Sequence, residues 1–202
     1  MKKNYINLID YGVGNIFSIS KSLEYLNFKC NFVKKPSDLI KNQKIILPGV
    51  GSFPNCKKLL KKNQLDEMLI KEAKKGTPLL GVCIGMQLLM DYSLEIKKTK
   101  GLGLIGGFAK KISNDKINKV PNIGWRKVNF KKKYFKYKKN FFYFVHSYKI
   151  QLDDRNYQTG YITYGDNTIP ASIKKDNVVG CQFHPEKSGI DGINFLKNFL
   201  DE

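Results

Sequence analysis

The sequence predicts an α/β protein with a mostly parallel sheet flanked by helices, to which the second half of the chain adds antiparallel strands. Two observations lead to this fold class. Short apolar runs alternate with helix-length segments through the first half, and strands joined by helical crossovers pair in parallel. Beyond about Gly101, strands rich in tyrosine, phenylalanine, isoleucine and valine follow one another across tight turns, which is typical of antiparallel pairing.

The first half contains four short buried strands and the helices that alternate with them. Apolar periodicity predicts the helices and strands, and glycine and proline residues predict where they end. One such end is at Gly76, with Pro78 beyond it. The predicted strands are residues 5–9, 29–33, 44–47 and 78–82, and the predicted helices are residues 15–27, 54–62, 64–75 and 84–91.

The second half contains further strands and a closing amphipathic helix. The strands either extend the same sheet or form a small second sheet. No repeat and no linker marks a boundary, so we expect one domain over residues 1–202. The predicted strands are residues 141–145, 157–164, 169–174 and 178–183, and the predicted helix is residues 189–200.

The chain of 202 residues has a formal net charge of +19. Of its 36 basic residues only Arg126 and Arg155 are arginines, whereas specific reading of bases relies on arginine paired to guanine. The densest basic run, KKKYFKYKK at 131–139, could hold phosphates or an acidic partner. We favour a solvated lysine-rich loop and expect no specific nucleic-acid binding.

The four cysteines are widely spaced and contain no C-x-x-C pair, so we expect reduced thiols and no metal or other cofactor. No apolar run approaches the roughly 18 residues that a membrane helix needs. The apolar stretch at the start is also too short for a secretory signal. We therefore expect a cytoplasmic protein with no membrane partner.

Three loops with reactive side chains follow predicted strands. They are residues 48–53 after the third strand, Cys83 after the fourth, and residues 184–186 after the last. In open α/β sheets, reactive groups gather beyond the carboxyl ends of the strands. We therefore expect these loops to meet at one edge of the sheet.

Glycines around Cys83 predict that this cysteine is a nucleophile. The segment G-V-C-I-G-M places Gly81 and Gly85 two residues before and after it. A residue on a tight strand-to-helix turn crowds these two positions, so only glycine fits there. A cysteine that packs in a core needs no such frame, and Cys181, which lacks it, is expected to be a core residue.

A nucleophilic cysteine attacks as its thiolate and therefore needs a base. The chain has only two histidines, His146 and His184. His184 ends a predicted strand, and Glu186 follows across Pro185, which biases His184 toward an extended conformation. Glu186 can then orient the imidazole. Cys83, His184 and Glu186 are therefore predicted as nucleophile, base and orienting group.

Acyl transfer also requires hydrogen-bond donors for the oxyanion. The backbone N–H of Ile84, directly after the nucleophile, is one candidate. The P-G-V-G loop can turn a second N–H, that of Val50, toward the same point.

The motifs G-V-C-I-G-M-Q, P-G-V-G-S-F and Q-F-H-P-E-K-S-G closely resemble those of the class I glutamine amidotransferases. Three further segments, D-Y-G-V-G-N, P-N-I-G-W and F-V-H-S-Y, resemble the glutaminase subunit of imidazole glycerol phosphate synthase, an enzyme of histidine biosynthesis. The resemblance extends from residue 5 to the last helix. It implies a flavodoxin-like sheet of the class I glutamine amidotransferase type.

The resemblance implies that Cys83 attacks the side-chain amide of glutamine to form a glutamyl thioester. His184 would protonate the departing ammonia, and water would release glutamate. In the family the ammonia passes through a (β/α)₈ barrel that makes imidazole glycerol phosphate and AICAR, so a heterodimer is expected. The substrate-binding residues that the resemblance implies are Gly51, Gln87, His146, Ser147 and Tyr148.

The segment around Trp125 departs from the subfamily, in which it usually reads P-H-apolar-G-W-N. Here Asn122 and Arg126 replace the histidine and the asparagine, and all three residues are expected at the partner interface. Because of these departures, a second function remains possible for the chain, that of a paralogous glutaminase that supplies ammonia for amidination of a surface sugar. The glutaminase of pyridoxal phosphate synthesis, a cysteine peptidase of related fold and a catalytically silent binding protein fit the motifs less well.

Overall fold

Fourteen strands and five α-helices occur in the computed structural model, which describes residues 4–113, 119–131 and 139–202. The helices are α1 (Ile16–Tyr25), α2 (Phe53–Lys62), α3 (Leu65–Lys74), α4 (Ile84–Leu88) and α5 (Gly189–Asp201). The strands are β1 (Tyr5–Ile9), β2 (Lys29–Val33), β3 (Ile45–Leu47), β4 (Leu79–Val82), β5 (Tyr92–Ser93), β6 (Thr99–Lys100), β7 (Gly107–Lys111), β8 (Asn122–Lys127), β9 (Asn129–Phe130), β10 (Phe141–His146), β11 (Tyr148–Leu152), β12 (Gln158–Tyr164), β13 (Asn167–Lys175) and β14 (Val178–Cys181).

The central sheet confirms the predicted fold class. Its strand order is β2-β1-β3-β4-β14-β13-β12-β9. The first five strands in this order are parallel, and β13, β12 and β9 are added antiparallel. The strands β3, β4 and β14 are therefore neighbours, and the three loops that follow them leave the same edge of the sheet.

Two smaller sheets contain the remaining six strands of the described chain. One has the order β11-β7-β5-β6, and the other is the antiparallel pair β8 and β10. The sequence left open whether the later strands extend the main sheet or form a second one, and the structure contains both arrangements. We refer to the β8–β10 pair as the ribbon.

Aromatic packing fixes the ribbon to the main sheet. Phe142 of the ribbon lies against Phe183, with ring centroids 4.0 Å apart, and Phe195 of α5 lies 4.9 Å from Phe183. These side chains are at most 7% exposed. Because Phe183 directly precedes His184, burial of these rings also fixes the start of the third reactive loop.

Most predicted elements occur with small shifts at their ends. The largest concerns α4, which ends at Leu88 instead of residue 91. Its continuation is lost because Asp91 pairs with the small sheet, where its N–H donates to the Gly107 carbonyl at 3.0 Å and its side chain accepts the Gly107 N–H at 3.0 Å. Most of the basic run at 131–139 lies outside the described residues. None of the described helices is long and apolar enough to cross a membrane.

Candidate active site

Cys83 occupies a tight turn between β4 and α4. Its backbone has φ of 56° and ψ of −108°, a conformation that is strained for a residue other than glycine. A Cβ on Gly81 would lie 2.6 Å from the Gly85 carbonyl oxygen, and a Cβ on Gly85 would overlap the Leu47 carbonyl. Both flanking glycines are thus required by close backbone contact, within the turn at Gly81 and with the neighbouring strand β3 at Gly85.

His184 lies beside Cys83 at the end of the neighbouring strand β14. The N–H of Cys83 donates to the Cys181 carbonyl at 2.8 Å, which ties the two strand ends together. The backbone of His184 is held by the ribbon, since its N–H donates to the Tyr143 carbonyl at 2.9 Å. Its carbonyl accepts the Ser188 hydroxyl at 2.6 Å. The imidazole is therefore placed by three separate elements.

Glu186 bonds to the ring nitrogen of His184 across Pro185. Nδ1 of His184 is 2.9 Å from Oε1 of Glu186, and both side chains are almost fully buried. Burial alone would lower the pKa of His184, but its interactions with Cys83 and Glu186 raise it to about 10. An imidazolium next to a thiol stabilises the thiolate form. The three side chains are thus arranged as a nucleophile, an acid–base group and an orienting carboxylate.

These loops surround a cavity of about 370 Å³. Nine of the residues predicted for the site line it, namely Val50, Gly51, Cys83, Ile84, Gln87, His146, Ser147, Tyr148 and His184. Glu186 lies behind His184 and is not part of the lining. The cavity brings together the predicted catalytic, oxyanion-binding and substrate-binding groups.

Gln87 is fully buried one helical turn after the nucleophile. Its Nε2 donates to the Tyr148 carbonyl at 3.1 Å and to Oε1 of Gln182 at 3.0 Å. Within the described chain its buried Oε1 has no hydrogen-bond partner. Gln182 in turn points Nε2 at Cys83 Sγ, at 3.7 Å.

His146 lines the same cavity but has a different environment. Its Nδ1 is 2.8 Å from the Tyr148 carbonyl and its Nε2 is 3.0 Å from the Asn122 amide nitrogen. The tautomer with a proton on Nδ1 satisfies both contacts, because that nitrogen donates and the other accepts. Burial lowers the pKa of His146 to about 4. His146 is therefore neutral and fully bonded at neutral pH.

The three residues expected at the partner interface differ in exposure. Trp125 is 51% exposed on the outer face of the ribbon. Arg126 lies at the surface, where its guanidinium covers the Tyr164 ring at 5.2 Å and donates to the Trp125 carbonyl at 2.9 Å. Asn122 is 0% exposed. Its amide points inward to His146, so the side chain is not on the outer face of the ribbon, and its place at the interface stays a prediction.

Five residues that line the cavity were not predicted for the site, namely Asn15, Glu95, Pro121, Val145 and Lys187. Glu95 follows β5 in the segment S-L-E-I-K-K, and its Oε2 accepts the Phe53 N–H at 2.7 Å. Asn15 precedes α1 and directs Nδ2 at Glu186 Oε1, at 3.4 Å. Glu95 carries no periodic or motif signal, whereas Asn15 belongs to D-Y-G-V-G-N, a segment that the resemblance had included.

The family model of class I glutamine amidotransferases matches residues 7–202. The chain belongs to this class of enzyme. It is 41% identical over 198 residues to the imidazole glycerol phosphate synthase subunit HisH of Caldanaerobacter subterraneus, with 96% of each chain covered. It is 40% identical over 206 residues to the subunit HisH of Lactococcus lactis, with 100% of each chain covered. Within the class, the chain belongs to the HisH family.

Solved structures support the fold independently. A structure described as a glutamine amidotransferase matches with a TM-score of 0.73 and 16% identity, covering 97% of both chains. The PurLQS structure from Thermotoga maritima matches with a TM-score of 0.73 and 20% identity, covering 98% of both chains. At these identities the likeness establishes the shared fold.

Proposed function

We propose that this chain hydrolyses glutamine to glutamate and ammonia through Cys83, His184 and Glu186. The observation that carries the proposal is the position of Cys83 on a strained turn at the cavity, with His184 beside it and Glu186 bonded to the imidazole at 2.9 Å. A cysteine used only for packing needs neither the strain nor the charged neighbour.

The reaction steps follow from the proton that His184 carries beside Cys83. Sγ attacks the side-chain carbonyl of glutamine, and the developing oxyanion is stabilised by the N–H groups of Ile84 and Val50. The proton on His184 passes to the amide nitrogen as the C–N bond breaks, and ammonia leaves. Water then attacks the thioester with His184 as base, which releases glutamate and restores the thiolate.

Substrate recognition is assigned to the far end of the cavity. The unpaired Oε1 of Gln87 and the carboxylate of Glu95 are acceptors, which suits the α-ammonium group of glutamine. Gly51, His146, Ser147 and Tyr148 would surround the rest of the amino acid. We assign His146 to positioning, because its ring nitrogens are both used within the protein.

We further propose that the ammonia passes to a (β/α)₈ barrel that makes imidazole glycerol phosphate and AICAR in histidine biosynthesis. The names of the relatives at about 40% identity support this assignment. The ribbon supports it physically, since it presents an apolar face next to the cavity. Residues of this face that are exposed by a third or more are Ile123, Trp125, Phe141 and Val145. The chain would act in the cytoplasm as a single domain.

The second candidate is a paralogous glutaminase that supplies ammonia for amidination of a surface sugar. Arg126 keeps this candidate open, because it replaces the asparagine that is usual in this segment of the subfamily. Its guanidinium packs on the Tyr164 ring. Asn122 does not bear on this choice, because its side chain is buried against His146.

A co-purification experiment separates the two candidates. The chain is mixed with the histidine-pathway barrel of the same genome, and glutamate release is measured with and without the acceptor ligand of the barrel. Binding and stimulated glutamate release support the histidine pathway. Failure to bind this barrel, with tight binding to a barrel encoded beside sugar-modifying genes, moves the function to the second candidate. A Cys83→Ala variant with unchanged glutamate release contradicts the proposed chemistry itself.

A further inference from the structure

Two buried side chains hold the loop between Pro48 and Ser52 from behind. The hydroxyl of Tyr11 donates to the Pro48 carbonyl at 2.8 Å. The thiol of Cys56, near the start of α2, donates to the Val50 carbonyl at 3.4 Å. Tyr11 is 1% exposed and Cys56 is 0% exposed. Neither side chain lines the cavity, and the proposed chemistry uses neither of them.

Both side chains remain protonated donors at neutral pH. Burial raises the pKa of the Cys56 thiol to about 11 and holds the pKa of Tyr11 well above its usual value. The two side chains also contact each other. They form one buried unit, with Tyr11 from the loop after β1 and Cys56 from α2.

The two bonded carbonyls lie on either side of a single peptide, the one that joins Gly49 to Val50. In the part of the chain that the structure describes, neither the Gly49 carbonyl nor the Val50 N–H has a hydrogen-bond partner. Space around Gly49 is also limited, because a Cβ there would lie 2.8 Å from Cβ of Ile84 and 3.0 Å from the Tyr11 hydroxyl. The free peptide thus lies between the nucleophile turn and Tyr11.

We propose that Tyr11 and Cys56 are positioning residues for this peptide. They fix the peptides before and after it, so that only the Gly49–Val50 unit is left to turn its N–H toward the oxyanion. Because a peptide is planar and rigid, fixing both neighbours restricts it to rotation about one axis. The inference rests on the proposed function, since it assigns the two residues to the oxyanion step of that reaction.

The test uses three variants of the full chain in complex with the barrel. Tyr11→Phe removes the hydroxyl donor, and Cys56→Ala removes the thiol donor. Cys56→Ser supplies a hydroxyl donor in place of the thiol, in a side chain of nearly the same volume as alanine. We expect Tyr11→Phe and Cys56→Ala to lower kcat about tenfold, a fraction of the loss from deleting an oxyanion donor. KM should change by less than about twofold, because ground-state binding is untouched. Cys56→Ser should recover most of the lost kcat.

Two further measurements separate positioning from a general loss of structure. The melting temperature and the rate at which iodoacetamide alkylates Cys83 should stay close to those of the parent chain in Cys56→Ala. Cys30→Ser, at a half-buried cysteine on the edge strand β2, is the matched control and should keep full activity. If Tyr11→Phe does not fold, the Cys56→Ala and Cys56→Ser variants still test the positioning role.

The inference is overturned if Cys56→Ala keeps its kcat, if the loss falls on KM, or if Cys56→Ser is as impaired as Cys56→Ala. A Cys83→Ala variant in the same assay distinguishes this failure from failure of the proposed function. If Cys83→Ala is inactive while Cys56→Ala is fully active, only the positioning role is wrong. If Cys83→Ala remains active, the proposed chemistry is wrong as well.

Discussion

The amide nitrogen of Asn122 lies 3.0 Å from Nε2 of His146 in the interior of the ribbon. This contact gives His146 a different environment from that of His184, the other histidine of the chain. His146 is held neutral between Asn122 and a carbonyl, whereas His184 bonds to a carboxylate and lies beside the Cys83 thiol. Two residues of the same type therefore have opposite protonation states at one cavity.

The first prediction concerns these protonation states. In ¹⁵N-histidine NMR, His146 should stay neutral down to a pH of about 4, and His184 should stay protonated up to about 10. In Cys83→Ala, the pKa of His184 should fall because the interaction with Cys83 that raises it is lost, while that of His146 should not move. Equal pKa values near 6.5 for both residues would contradict the assignment.

The same shifts give opposite dependences of stability on pH. The pKa of His146 is lowered on folding, so its contribution is present above pH 6.5 and is lost as the pH falls toward 4. The pKa of His184 is raised, so its contribution is complete below pH 6.5 and is lost as the pH rises toward 10. Urea unfolding across this range should therefore show that His146 stabilises the fold mainly above neutral pH. The contribution of His184 to the free energy of unfolding should be greatest below neutral pH.

The second prediction compares the acid–base residues. His184→Ala should lower kcat for glutamate release by about 10⁵-fold, and Glu186→Ala by about 10³- to 10⁴-fold, because Glu186 only orients the ring. His146→Ala should act mainly on KM, and Cys181→Ser should keep most activity. If His146→Ala reduced kcat more than His184→Ala, the choice of base would be wrong.

The third prediction concerns Gly85, which lies two residues after Cys83. Gly85→Ala places a Cβ against the Leu47 carbonyl, which is backbone and cannot turn aside. We expect a loss of about 3 kcal/mol in the free energy of unfolding by urea. Gly106→Ala is the matched control, because its nearest contact is the movable Asp153 side chain at 3.1 Å. Similar stabilities for the two variants would show that the turn can relax.

The fourth prediction concerns the ribbon face. Trp125 is 51% exposed and its ring lies 6.1 Å from that of Tyr143, which holds it in place. Trp125→Ala should weaken binding to the barrel by about 2 kcal/mol in a titration, as is usual for an aromatic anchor. Tyr25→Ala, at a residue that is 71% exposed at the end of α1, should have no effect. Equal affinities for both variants would remove the ribbon from the interface.

Much of this architecture can be predicted from the sequence because its signals are local. The apolar runs of β1 and β4 and the glycines around Cys83 each act through close neighbours, and parallel pairing then follows from the helical crossovers between the strands. None of the strands of the four-stranded sheet was predicted: β7 and β11 have five residues each, and β5 and β6 are only two residues long. Strands of that length have no alternation to detect.

The functions of individual side chains proved less predictable where they depend on distant partners. Asn122 and His146 meet across two strands, so no spacing in the sequence shows that Asn122 faces inward. Glu95 enters the cavity from an irregular segment and is held by the N–H of Phe53 on a distant helix. Such contacts are set by the assembled fold, and a single sequence carries no local trace of them.

The position of β14 between β4 and β13 has a consequence for synthesis on the ribosome. β14 is the last strand to be made, yet it is an interior strand with a neighbour on each side. A nascent chain that lacks it leaves β4 and β13 with open edges and has Cys83 without its neighbouring imidazole. Under the proposed chemistry, the thiol therefore gains the imidazole that it needs only when translation is nearly finished, and prematurely terminated chains would be inert toward glutamine and prone to edge-to-edge association.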